Sequence, residues 1–157
     1  MNLEQIKAAQ QLLAPVMRRT PVVASRVLSE TTGFAVSLKC ENLQRTGSFK
    51  PRGAYNRIAN LSAEERAAGV VAASAGNHAQ GVAWSATELG IKSTVFMPTG
   101  APLPKLVATK AYGAQVHLHG STVDEALVAA REFADRTGAV LVHPFDHEDV
   151  VAGQGTV

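Results

Sequence analysis

From residue 62 onward one unit recurs four times: a helix-forming stretch, a glycine, and at once a short apolar run. The glycines are Gly69 before VVAAS, Gly90 before IKSTVFM, Gly113 before AQVHLH and Gly138 before AVLVHP, at spacings of 21, 23 and 25 residues. Glycine just past a helix stops it, because glycine takes the left-handed conformation without steric cost. The spacing suits successive βα units, whose strands lie parallel because each returns through a helix. The units share only this helix–glycine–strand order, so they do not form a solenoid. The expected fold is therefore α/β, a three-layer open parallel sheet of four strands with helices on both faces. Helix starts are marked as well. Ser62 with Glu65, Asn77 with Gln80, and Ser121 with Asp124 read as capping boxes, and Pro102 and Pro104 fall near the start of the third helix. In the last of these helices Val123, Ala126, Leu127, Ala130, Phe133 and Ala134 make one apolar stripe.

The first sixty residues are less regular. Residues 2–13 place Leu3, Ile6, Leu12 and Leu13 on one helical face before Pro15. MRRTPVVASRVLSETTG predicts a turn, a brief strand and a short helix, and AVSLKCE (35–41) predicts a strand. Charge separates the two parts. Residues 1–57 hold nine Lys/Arg against three Asp/Glu, whereas residues 58–157 hold six against ten. The basic residues of the first part are scattered without interleaved aromatics, which argues against nucleic acid and leaves a phosphate-bearing small molecule open. The single cysteine, Cys40, excludes an intrachain disulfide, fits a reducing compartment and is expected to be a buried, inert thiol. The N-terminus lacks a signal-peptide core, and no apolar run reaches the ~18 residues of a membrane span. A cytoplasmic protein without membrane association is expected.

Two stretches carry candidate chemistry. In ENLQRTGSFKPRG (41–53), Lys50 precedes Pro51, which disfavours helical dihedrals at the lysine and suits a helix's first turn. Lys50 is thus expected in an extended or cap conformation, with a helix starting just after it. In SAGNHAQG, small Ser74, Ala75 and Gly76 follow a strand and Asn77 opens a helix. Ligands of parallel α/β sheets bind beyond the strands' carboxyl ends, which gives loops 74–77, 98–103, 119–121 and 144–148 the functional edge. Amides at a helix start suit a carboxylate or phosphate, although a plain strand-to-helix turn would need the same small residues. Neither a Walker loop nor a GxGxxG fingerprint is present, which disfavours nucleotides. His117 and His119 share a strand face but lack a nearby third ligand, so no metal is expected. His143 and His147, with Asp146, Glu148 and Asp149, read as a solvated turn. Trp84 and Phe133 are expected in helices and in the core.

SFKPRGA followed by SAGNHAQGVA resembles the pyridoxal-phosphate enzymes of the tryptophan-synthase-β-like fold, fold type II. The whole chain fits, including PTGAPLPKLVATKAYGAQVHLHG and PFDHEDVVAGQGTV. Within that superfamily it is most similar to the serine/threonine dehydratases, with serine racemases close behind. The resemblance implies pyridoxal 5′-phosphate as cofactor and Lys50 as the Schiff-base lysine that then acts as base at the substrate's Cα–H. It implies Phe49 beside the cofactor ring, Asn77 on the ring hydroxyl, and Ser74, Ala75, Gly76, Asn77 and His78 around the substrate carboxylate. The implied reaction is α,β-elimination from L-threonine through an aminocrotonate to 2-oxobutanoate and ammonia, or from L-serine to pyruvate. It belongs to amino-acid metabolism such as isoleucine biosynthesis. A homo-oligomer acting on a small amino acid, with no nucleic-acid or membrane partner, is implied too. The alternatives are a serine racemase or serine dehydratase and a non-catalytic α/β fragment. In the family a glycine-rich phosphate loop and a polar residue facing the pyridine nitrogen come later than these 157 residues reach. The expected division is therefore 1–52 as the start of the large domain, 53–152 as the small domain and 153–157 as the return to the large one. A chain truncated in this way is expected to be inactive alone.

Overall fold

The computed structural model describes residues 1–157. The four glycine-terminated units become a parallel sheet. Its strands are β3 (Val70–Ala73), β4 (Ser93–Met97), β5 (Gln115–Leu118) and β6 (Val140–Leu141), in the order β5-β4-β3-β6. All four glycines adopt positive φ, from +68° at Gly90 to +93° at Gly113. The connecting helices are α5 (Asn77–Glu88), α6 (Leu103–Ala111) and α7 (Val123–Thr137). The chain steps outward from β3 to β4 to β5, then jumps back across the sheet to β6. Because parallel crossovers are right-handed, the reversal puts α7 on the face opposite α5 and α6.

The strand side chains divide accordingly. Val70 and Ala72 pack with Val82 and Ala86 of α5, while Val71 and Ala73 pack with Ala126 and Ala130 of α7. Val95 and Met97 face Ala79 and Ala83, and Phe96 turns to Phe133. Burial on both faces explains why VVAA is uniformly apolar rather than alternating. The α/β architecture with helices on both faces of a parallel sheet is the one expected. In the stripe of α7, Ala126 and Ala130 are buried, Leu127, Phe133 and Ala134 are half-buried, and Val123 is 44% exposed. His117, read as a strand histidine, stacks on Phe96 with ring centroids 5.2 Å apart.

Upstream lie α1 (Leu3–Leu13), β1 (Val22–Ala24), α2 (Arg26–Thr32), β2 (Ser37–Lys39), α3 (Lys50–Ala59) and α4 (Ala63–Ala68); α8 (Glu148–Gln154) closes the chain. Asn2 and Gln5 form a capping box at α1, but only Ala9 and Leu13 are buried in it, and Leu3 faces solvent. β1 and β2 pair antiparallel, with Val23 opposite Leu38, and the strand predicted over 35–41 is confined to Ser37–Lys39. Cys40 is half-buried rather than in the core.

Three local expectations need correction. The helix of Lys50 begins at the lysine itself, with Phe49 as N-cap (φ −73°, ψ −12°), because a proline in the first turn breaks no helical hydrogen bond. Asn77 does not cap α5; Gly76 holds the N-cap position without a side-chain bond. At α7 the cap lies one residue later than expected, Thr122 accepting from the Glu125 N–H. Ser62 and Glu65 do form the expected box.

α3 and α8 cross at two glycines. A Cβ on Gly153 would lie 2.4 Å from the Arg52 carbonyl oxygen and 2.8 Å from Gly53 Cα, and one on Gly53 would lie 2.8 Å from the Val150 carbonyl oxygen. Both obstacles are backbone and cannot rotate away. Gly153→Ala is therefore expected to destabilise by about 2–3 kcal/mol through overpacking, measured as a lower urea midpoint at unchanged slope. A wild-type midpoint would mean the helices are not in this contact.

Candidate active site

The reversal of strand order falls between β3 and β6, which run parallel, and a parallel sheet opens its ligand crevice at such a point, beyond the strands' carboxyl ends. The segments that leave the sheet there are Ser74–Gly76 and Val142–His147, and Lys50 reaches them from α3. Its Nζ donates to the Pro144 carbonyl at 2.7 Å and lies 5.2 Å from the Phe49 ring centroid. Gly81 of α5 lets the lysine backbone come this close, since a Cβ there would lie 3.1 Å from the Lys50 carbonyl carbon. No carboxylate pairs with the ammonium. Burial without a counter-charge lowers its basicity below the ordinary lysine value.

His78 is almost wholly enclosed beneath it. Its Nε2 contacts the Val142 carbonyl at 2.8 Å, and a carbonyl can only accept, so Nε2 carries the proton. Burial is the main force that pushes its pKa down to about 4; the Val142 bond opposes this, and the charges of Lys50 and His143 reinforce it. At neutral pH His78 is uncharged and adds no repulsion to the lysine. The loop residues Ser74, Ala75 and Gly76 are half-buried and Asn77 is exposed. Ser74 N–H bonds the end of β4 at the Phe96 carbonyl (3.1 Å), and Ser74 Oγ accepts from Gly76 N–H (3.1 Å). Because the N-cap glycine offers no side-chain acceptor, the first amides of α5 remain available to an anion.

Lys50, Phe49 and the Ser74–His78 loop, all singled out in the sequence, thus meet at one sheet edge. The histidines at 117 and 119 do not join them, and no cluster of His, Cys, Asp and Glu suited to a metal ion occurs. Three participants could not be found from sequence: the Val142 and Pro144 carbonyls, which carry no side-chain signal, and Lys105. Lys105 Nζ donates to Asn77 Oδ1 at 2.9 Å, and nothing in PLPKL distinguishes it from a surface lysine. His143, read as a solvated turn, accepts from the Asp146 N–H through Nδ1 (2.8 Å) and shapes this loop.

Residues 13–157 match the family described as pyridoxal-phosphate dependent enzyme. The chain belongs to that family. It is 58% identical over 156 residues to an L-threonine ammonia-lyase of Thermotoga maritima, covering 99% of this chain and 39% of that protein. Among solved structures, maize serine racemase superposes with a TM-score of 0.93 at 36% identity, covering 99% of this chain and 47% of that one. The processed form of threonine deaminase isoform 2 from Solanum lycopersicum gives 0.87 at 40%, with 99% and 44% covered. The chain therefore spans less than half the length of these relatives. Pyridoxal phosphate is the cofactor of the family, and the residues present fit it: an amine of lowered basicity, a phenyl ring beside it and an amide opposite.

The depressed pKa of His78 has a measurable consequence. The unfolded chain takes up the proton at about pH 6.5 and the folded protein only near 4, so stability is full above 6.5 and falls with pH between those values. The loss should approach about 3 kcal/mol by pH 4. His78→Gln, which can still donate to Val142, should flatten that segment of the stability–pH curve. An unchanged slope in the variant would exclude His78 as its source.

Proposed function

We propose that this chain supplies the lysine-bearing side of the active site of a pyridoxal-phosphate dependent ammonia-lyase that converts L-threonine to 2-oxobutanoate and ammonia and accepts L-serine. The supporting observation is the environment of Lys50, an uncompensated, partly buried amine at the switch point of the sheet, opposite the open amides of α5. The 58% identity to an L-threonine ammonia-lyase favours threonine as substrate.

Each residue has a physical task. Lys50 would hold the cofactor through the uncharged fraction of its amine, and the same amine, when free, would take the proton from the substrate Cα. Its lowered basicity enlarges that fraction at neutral pH. The loop Ser74–Asn77 and the amides at the head of α5 hold the substrate carboxylate, which fixes the Cα–H bond toward the lysine. Asn77 would help hold the cofactor as a hydrogen-bond donor through its amide. Phe49 screens one side of the amine from water. His78, neutral and bonded to Val142, fixes the floor of the loop rather than exchanging protons. When bound, the cofactor provides an electron sink for the pair left at Cα. Over the reaction one water leaves as the β-hydroxyl departs, and another is consumed when the released enamine hydrolyses.

Serine racemization is a second possibility, favoured by the superposition on maize serine racemase. The two separate by product, since a racemase forms D-serine and a lyase forms ketoacid. The primary test is borohydride reduction of the full-length protein loaded with pyridoxal phosphate, followed by peptide mapping. A pyridoxyl group on Lys50 is expected, and Lys50→Ala should lose the adduct and about 10²–10⁴-fold of ketoacid formation. An adduct on another lysine, or none, would overturn the assignment.

A further inference from the structure

The geometry points to Lys105 as the residue that sets the orientation of the Asn77 amide, so that its NH₂ group and not its oxygen is presented to the ligand. This rests on Asn77 belonging to a pyridoxal-phosphate site. The two ends of an asparagine amide are nearly isosteric, and only hydrogen-bond partners decide which way it turns. An ammonium has three donors and no acceptor. With Lys105 Nζ 2.9 Å away, the atom facing it must be Oδ1, and Nδ2 is turned to the opposite side.

The tie is long-range in the chain and built into the fold. Lys105 lies in the first turn of α6, twenty-eight residues beyond Asn77 at the head of α5. That turn is held by its own backbone, Lys105 N–H donating to the Pro102 carbonyl (2.9 Å) and Thr109 Oγ1 donating to the Lys105 carbonyl (2.8 Å). The ammonium has no carboxylate partner, and Asn77 Oδ1 is its only side-chain acceptor. Asn77 is the first residue of α5, one past the cap position held by Gly76, and its side chain makes no cap bond. Its oxygen is committed to α6. The neighbouring helix thus determines that the site offers a hydrogen-bond donor, which selects an oxyanion or hydroxyl acceptor on the ligand. Lys105 is a positioning residue, acting through Asn77.

The test uses the full-length protein with pyridoxal phosphate and the variants Lys105→Met, Lys105→Arg and Asn77→Ala, singly and combined. Lys105→Met removes the donor while keeping the stem. It should weaken cofactor binding by about threefold to tenfold, the worth of one charge-assisted bond in an open setting. It should also shift the visible absorption band of the bound cofactor, and Lys105→Arg should restore both. In the Asn77→Ala background, Lys105→Met should add nothing, because its only route is gone. An unchanged band and affinity in Lys105→Met, or effects that add fully in the double variant, would overturn the inference while leaving Lys50 intact. Failure of the wild-type protein to form any Lys50 adduct would instead overturn the cofactor assignment, and this inference with it.

Discussion

The bidentate pair between Glu41 and Arg52 holds the lysine-bearing segment closed. Arg52 donates from Nε to Oε2 at 2.8 Å and from Nη2 to Oε1 at 2.9 Å, and Thr20 donates to the same carboxylate at 2.6 Å. Both charged side chains are nearly buried. Burial alone would raise the Glu41 pKa, but the bonds from Arg52 and Thr20 and the charges of Arg52 and Lys39 outweigh it and hold the carboxyl below its ordinary value. Its contribution is therefore present at neutral pH and lost as pH falls through that lowered value. Leaving one member unpaired costs about 3–5 kcal/mol, although replacing both by well-packed apolar groups can cost little. What the pair specifies is position. Residues 41 and 52 bracket a loop containing Thr46 at φ +59° and Gly47 at φ +72°. A β-branched residue in the left-handed region is strained and persists only where its surroundings dictate it. The Arg45 guanidinium, 6.0 Å from the Trp84 ring centroid, ties the same loop to α5.

This closure links the two halves of the site. Arg52 also reaches Thr156, so the lysine helix is fastened to the region just past α8, whose glycine crosses it at backbone contact. Lys50 then projects over the end of β6 to the Pro144 carbonyl, while α5 lies close enough to require Gly81. Lysine and His78 share one cause for their unusual protonation: burial without compensating charge. The neutral histidine and the weakened lysine support each other, since a proton on either would oppose one on the other.

Much of this architecture is readable from the chain. Glycines at 69, 90, 113 and 138 mark the helix ends, because positive φ is a backbone property that composition reveals. The fully apolar VVAA marks a strand buried on both faces. Lys50 and the Ser74–His78 loop stand out because small residues and a proline at element junctions are unusual. What escapes depends on tertiary neighbours. The order of β6 beside β3 leaves no trace in local sequence, and neither does the antiparallel pairing of β1 with β2. Asn77 reads as a cap, but Gly76 takes that position, and the partner of the Asn77 oxygen, Lys105, arrives from another helix. The carbonyls of Val142 and Pro144 act through backbone, on which the side-chain alphabet is silent. Lys50 reads as preceding its helix because the rule for residues before proline is weaker at the first turn than elsewhere.

The fold, before any ligand binds, already lowers the basicity of Lys50. Competitive acylation of the cofactor-free protein with trace acetic anhydride across a pH series, read lysine by lysine by mass spectrometry, measures this directly. The reactivity of Lys50 should titrate with a midpoint below the ~10.4 of free lysine, and Arg52→Met, by loosening the loop, should move it back toward that value. A Lys50 midpoint at or above the free value in the wild-type protein would mean that the fold does not lower its basicity.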